Sequence, residues 1–138
     1  MEPICLPGMS FPPPRTDLQL LLDPLHRQRL LDEADQVAAG KAALFFGEAA
    51  ALELVPTGPL THWTACEKRT DVEKQADIKY TWEPGRFSWA VTLGRAYALS
   101  GNTRYATSFW NYASVFLQAN PPYCGPQWMS GQEVALRI

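Results

Sequence analysis

Apolar residues recur at helical spacing along several stretches of the chain. In the first, Leu30, Leu31, Ala34, Val37 and Ala38 share one side of a predicted helix. Asp23 is placed to cap it, Pro24 stands where a missing N–H does no harm, and Gly40 closes it. A second helix of about four turns follows Pro84-Gly85 and ends at Gly101, with Phe87, Ala90, Val91, Gly94, Tyr97 and Ala98 as its apolar face. A third, capped by Asn102 or Thr103, carries Tyr105, Phe109, Tyr112, Ala113 and Phe116 and stops at Asn120-Pro121-Pro122, because proline cannot continue a helix. Gly101 between them predicts an antiparallel helical hairpin. Ser130 with Glu133 three residues later has the spacing of a capping box, so Val134 to Ile138 begins another helix.

Elsewhere the pattern is less decisive. Lys41–Val55 fits two readings: its alanines favour a helix, while Gly47 between apolar stretches suits a short β-hairpin near 42–54. Pro56–Lys74 reads as a loop, with turn signals at Pro56, Gly58 and Pro59. Met1–Thr16 is rich in proline, so residues 1–22 are expected to form an extended arm and residues 23–138 a mainly all-α domain. The short last helix is marginal without more turns or a partner, which suggests a piece of a larger domain.

Composition narrows the classes. Hydrophobic residues make up 46% of the chain and charged ones 19%, which is a folding composition. The net charge of −2 gives no clustered cationic excess for nucleic acid or an anionic membrane surface. No apolar run approaches the roughly 20 residues of a membrane span. The N-terminus has no basic region followed by an apolar one, so no signal peptide is expected; the compartment stays open. The aromatic share of 12% suits either a core or a groove that stacks on a flat ligand such as a sugar ring.

No catalytic set assembles on spacing. Cys5, Cys66 and Cys124 are odd in number and far apart, and His62 with Cys66 is too little for a metal site. No metal or other cofactor is implied. His26 reads as part of a solvated helix face. Asp77 and Glu83 could act as paired acids or form salt bridges to Lys79 or Arg86. Leu93-Gly94, Tyr97, Gly101, Ala106, Trp110 and Ala113 fit the small-and-large pattern of one tetratricopeptide repeat, yet no second copy follows and about three are normally needed.

The stretch Asp77-Ile78-Lys79-Tyr80-Thr81-Trp82-Glu83-Pro84-Gly85-Arg86 through Gly101 resembles the N-terminal domain of heparinase II/III-type polysaccharide lyases. Arg104-Tyr105-Ala106, Asn120-Pro121-Pro122 and Trp128-Met129-Ser130-Gly131-Gln132-Glu133 continue the resemblance, as does Ala39-Gly40 through Gly47 upstream. It covers roughly Asp32 to Ile138 and includes loops as well as helices. It implies an incomplete (α/α) toroid and β-elimination on an acidic, uronate-containing polysaccharide. It places the catalytic groups beyond Ile138, so no catalytic residue is carried over. It also implies that Trp82, Glu83, Arg86, Trp128, Glu133 and Arg137 wall a substrate cleft, the tryptophans stacking on sugars and the arginines pairing with carboxylate or sulfate. The same residues could instead lock and cap helices. The alternative function is a non-catalytic helical scaffold for a protein or glycan, and exposed helix faces are expected to favour self-association.

Overall fold

In the computed structural model the described residues are 22–43, 47–66 and 78–137. The expected N-terminal arm and Asp77 lie outside them. Among the described residues the architecture is mainly helical, with one small two-stranded sheet. Helix α1 (Pro24–Ala38) starts as the sequence predicts: the Asp23 carboxylate accepts hydrogen bonds from the backbone N–H groups of Leu25 and His26, and Pro24 occupies the first turn. Gly40, in the left-handed region at φ 81°, turns the chain out of the helix.

Strands β1 (Lys41–Ala43) and β2 (Ala49–Ala51) pair antiparallel, with Ala42 opposite Ala50, so the hairpin reading of this stretch is the observed one. Alanine is a weak strand former. Burial of Ala42 in the core holds the hairpin, and the Leu52 N–H extends its ladder by donating to the Gly40 carbonyl at 2.8 Å. A short helix, α2 (Trp63–Cys66), lies in the stretch that follows.

Helix α3 (Ile78–Trp82) was not foreshadowed by the periodicity; it runs directly into a 3₁₀ turn at Glu83–Arg86. Pro84 and Gly85 lie inside that turn, so α4 begins later than expected, at Ser88, and ends at Ser100. Phe87 joins turn and helix in the left-handed region at φ 59°, an uncommon conformation for a large side chain. Its ring holds it there, packing edge-on against Trp89 at 5.1 Å and Phe116 at 5.0 Å between centroids. Helix α5 (Thr103–Ala119) returns antiparallel, with the Asn102 side chain accepting from the Arg104 N–H. A 3₁₀ turn at Pro126–Trp128 and helix α6 (Gly131–Ala135) complete the chain.

The core lies where α1 crosses the α4–α5 hairpin. Trp89, Leu93 and Ala96 of α4 meet Ala34 and Val37 of α1 and Tyr105, Ala113 and Phe116 of α5. The apolar side predicted for α5 is the one buried. That of α4 is rotated from the expectation: Val91 and Gly94 face solvent, while Trp89, Leu93, Ala96 and Leu99 turn inward. Both sides of α4 are apolar, so periodicity alone could not choose between them. Two tyrosines tie α5 to α1 through their hydroxyls. Tyr112 donates to the Val37 and Ala38 carbonyls, each at 3.0 Å, satisfying C-terminal acceptors of α1. Tyr105 donates to Asp35 at 2.7 Å, and Arg104 pairs with the same carboxylate.

Trp89 is 2% exposed and donates its indole N–H to the Pro84 carbonyl. Trp89→Ala is therefore expected to destabilise the fold by about 4 kcal/mol, and Tyr112→Phe by about 1 kcal/mol, in urea unfolding. A Trp89→Ala loss below about 1 kcal/mol would show that this ring is not central to the core.

Candidate functional site

The six residues singled out in the sequence lie on separate elements: Trp82 ends α3, Glu83 and Arg86 bound the first 3₁₀ turn, Trp128 ends the second, Glu133 is in α6 and Arg137 follows it. The fold gathers five of them around Arg86 and Arg137, and Trp82 is tied alongside through the Pro126 carbonyl. Arg86 is the centre of this cluster. Its Nε and Nη2 donate to the two oxygens of Glu133 at 2.8 and 2.7 Å, a bidentate pair, while Nη1 donates to Glu83 at 2.8 Å. Glu133 is only 3% exposed, while the Arg86 side chain keeps 29% of its surface open to water. Hydrogen bonding to Glu133, reinforced by the charges of Glu133 and Glu83, holds the Arg86 guanidinium even further above its ordinary pKa. In turn, the hydrogen bonds from Arg86 and the charges of Arg86 and Arg137 hold the Glu133 carboxyl below its usual range, against the opposing effect of burial.

Ser130 caps α6 by accepting from the Glu133 N–H at 3.5 Å. The spacing that announced a capping box is thus half used. The Glu133 side chain is committed to Arg86.

Arg137 is held beside this pair. Its Nε donates to the Gly85 carbonyl at 2.9 Å, and its Nη2 donates to the Gln127 carbonyl at 2.7 Å and to Gln127 Oε1 at 3.2 Å. The guanidinium lies 5.6 Å from the Phe116 ring centroid and 6.0 Å from that of Trp128. Burial among these rings pushes its pKa down. Among the described residues its Nη1 is buried without a hydrogen-bond acceptor. Gly85 is required by close approach: a Cβ there would stand 2.3 Å from Gln127 Oε1. The tryptophans are half-buried, and each indole N–H is used internally, Trp82 to the Pro126 carbonyl at 2.8 Å and Trp128 to the Asn120 carbonyl at 3.3 Å.

The cluster therefore locks elements together. Two arginines and two glutamates neutralise one another, and most of their donors and acceptors are taken by protein groups. Of the two readings of Glu83, the salt bridge to Arg86 is the one observed.

Beside the cluster opens a cleft of about 180 Å³, between the irregular stretch Glu53–Thr57 and the turns around Pro84 and Pro126. That is below the roughly 300–1,000 Å³ of drug-sized sites and suits a single small ring. Tyr80 stands at its lip, 58% exposed, and Asn120 and Gln127 line it. Both amides also brace the wall: Asn120 Nδ2 donates to the Leu54 and Phe116 carbonyls, and Gln127 Nε2 donates to the Thr81 carbonyl at 2.6 Å. The sequence reading named neither as a site residue. Asn120 left a signal, as a polar residue in register with Phe109, Ala113 and Phe116 on the apolar side of α5. Gln127 left none.

His62 lies in an exposed position and its Nδ1 bonds the Thr64 hydroxyl, while its backbone bridges to Cys124. Among the described residues no three His, Cys, Asp or Glu side chains gather as metal ligands, and no helix is long and apolar enough to cross a membrane. Comparison with known proteins finds no matching family model, no matching curated protein and no matching solved structure.

The Glu133 pairing fixes a pH dependence. Its folded pKa lies below the ordinary 4.5, so its contribution is complete above that value and is lost as pH falls through the lower folded pKa. Between about pH 7 and about pH 3, the wild type should lose more urea resistance than Glu133→Gln. At neutral pH Glu133→Ala is expected to cost about 1–2 kcal/mol, because two donors of Arg86 lose their acceptor while Glu83 still pairs the third. Equal acid sensitivity of wild type and Glu133→Gln would remove Glu133 from this role.

Proposed function

We propose that this chain is the N-terminal helical part of a heparinase II/III-type polysaccharide lyase that cleaves uronate-containing glycans by β-elimination. In this reading the α4–α5 hairpin is one layer of an (α/α) toroid. One observation supports it above the rest: residues matching the family's motifs, scattered from Trp82 to Arg137, gather next to a small cleft, which none of the six lines. Sugar contacts belong to its lining, with the Tyr80 ring for stacking and the amides of Asn120 and Gln127 for hydroxyl groups.

β-Elimination removes the proton next to a uronate carboxylate and expels the 4-linked oxygen. It needs a base, an acid and a hydrogen-bonding or cationic partner for the developing negative charge. Arg86 is already neutralised by Glu83 and Glu133, so the proposal assigns carboxylate recognition and proton transfer to groups outside the described residues. The runner-up is a non-catalytic helical scaffold, favoured by the exposed Trp110 and Leu117 of α5, 67% exposed each.

The test follows unsaturated-uronate absorbance on heparin, heparan sulfate and alginate. A longer polypeptide that carries this chain together with the remaining toroid helices should eliminate at least one of them, and the 138-residue chain none. Failure of the longer polypeptide on all three substrates would sink the lyase reading. Turnover by the short chain would overturn the assignment of catalysis to other groups.

A further inference from the structure

Asn120 and Gln127 line the cleft with their amides already oriented by the fold. Asn120 is 4% exposed and Gln127 6%. Asn120 Nδ2 sends its two hydrogens to the Leu54 and Phe116 carbonyls, each at 2.9 Å, so only the nitrogen end of the amide fits that side. Its Oδ1 is left for the other side. Among the described residues no donor reaches that oxygen, and it is not sealed in the interior, so it is the group Asn120 offers to the cleft. Gln127 is tied at both ends: Nε2 donates to the Thr81 carbonyl at 2.6 Å, and Oε1 accepts from Arg137 Nη2 at 3.2 Å. Of the hydrogens on the two amides, only the second one on Gln127 Nε2 is left over.

The rest of the lining leans the same way. Pro56, Pro84 and Pro126 have no N–H to donate. Among the lining residues Glu53 alone carries a formal charge, and no lysine or arginine is with it. Arg137 lies behind Gln127, with Nε and Nη2 taken by protein acceptors and Nη1 buried. The two arginines and two glutamates of the neighbouring cluster cancel, so the charge presented at the cleft is that of the Glu53 carboxylate. Such a lining accepts hydrogen bonds and opposes anions. A carboxylate or sulfate brings only acceptors and negative charge, and taking it out of water without a donor is costly. An uncharged, hydroxyl-bearing ring brings donors for Asn120 Oδ1 and Glu53, and Tyr80 at the lip supplies a face to stack on.

We infer that the cleft is a subsite for an uncharged sugar ring and turns the uronate away. The uronate then falls to groups outside this cleft. This deepens the proposed function and rests on its glycan reading. It narrows the substrate to glycans in which uronates alternate with unsulfated neutral sugars, and disfavours chains made of uronate alone.

Two ligands that differ only at the exocyclic carbon test the inference: methyl β-glucoside and methyl β-glucuronide, titrated near neutral pH into the isotope-labelled 138-residue chain. The glucoside should shift the side-chain amide signals of Asn120 and Gln127 with a dissociation constant of about 1–10 mM, the range expected for about 13 heavy atoms. The glucuronide should bind at least about fivefold more weakly. Glu53→Gln removes an exposed charge and should narrow that ratio by about two- to threefold. Tyr80→Ala should weaken the glucoside by roughly threefold or more, through loss of the stacking face. Equal or tighter binding of the glucuronide, a ratio indifferent to Glu53→Gln, or no amide shift with the glucoside at about 100 mM would overturn the inference. The lyase proposal is read separately, by elimination on the longer polypeptide. A cleft that selects the glucoside stands as a glycan subsite even where nothing is eliminated, and elimination without that selectivity would sink the subsite alone.

Discussion

The bidentate pair between Arg86 and Glu133 joins parts of the chain that share no secondary structure. One partner belongs to a tight turn of four residues, Glu83–Arg86, and the other to a helix of five, Gly131–Ala135. Neither element is long enough to persist alone. Their relative position comes from charges that are costly to leave unpaired once water is removed, which makes the arrangement specific whether or not it adds net stability. Gln127 and Arg137 extend the same lock to Thr81 and Gly85, so the segment after α5 is bound back onto the start of α4.

This lock and the aromatic core share a boundary. Phe116 packs edge-on against Phe87 on one side and lies under the Arg137 guanidinium on the other. The strained backbone at Phe87 is retained because its ring is fixed between Trp89 and Phe116, and that same residue turns the chain from the Arg86 turn into α4. Packing in the hairpin therefore sets the angle at which Arg86 meets Glu133. The cleft lined by Asn120 and Gln127 is a consequence, since both amides brace its walls by bonding carbonyls far away in sequence.

The two sides of the hairpin divide different tasks. The side against α1 holds the core. The cluster at its open end holds compensated charge and a small concave surface, while the outer side is apolar, nearly free of charge and uncovered by α1. The concave surface is lined by Tyr80, Asn120 and Gln127 and the uncovered side carries Val91, Trp110 and Leu117, so the two use different residues and different forces.

Local chemistry was legible in the sequence wherever neighbours along the chain decide the outcome. Asp23 with Pro24 started a helix, Gly40 and Gly101 ended helices, Asn102 and Ser130 capped them, and the apolar stripe of α5 named its own buried side. These follow from backbone donors and acceptors satisfied within a few residues. The family resemblance singled out Trp82, Glu83, Arg86, Trp128, Glu133 and Arg137 as a cleft wall; in the fold most of their polar groups pair within the protein and none of the six lines the cleft. Tertiary structure decided what competes over distance. It chose the hairpin at 41–51 by burying Ala42, rotated α4 so that Trp89 and Leu93 faced inward in place of an equally apolar side, and drew the Glu133 carboxylate away from its cap to Arg86. In each case the local pattern admitted two solutions, and contacts between residues far apart in sequence, which no short window contains, separated them.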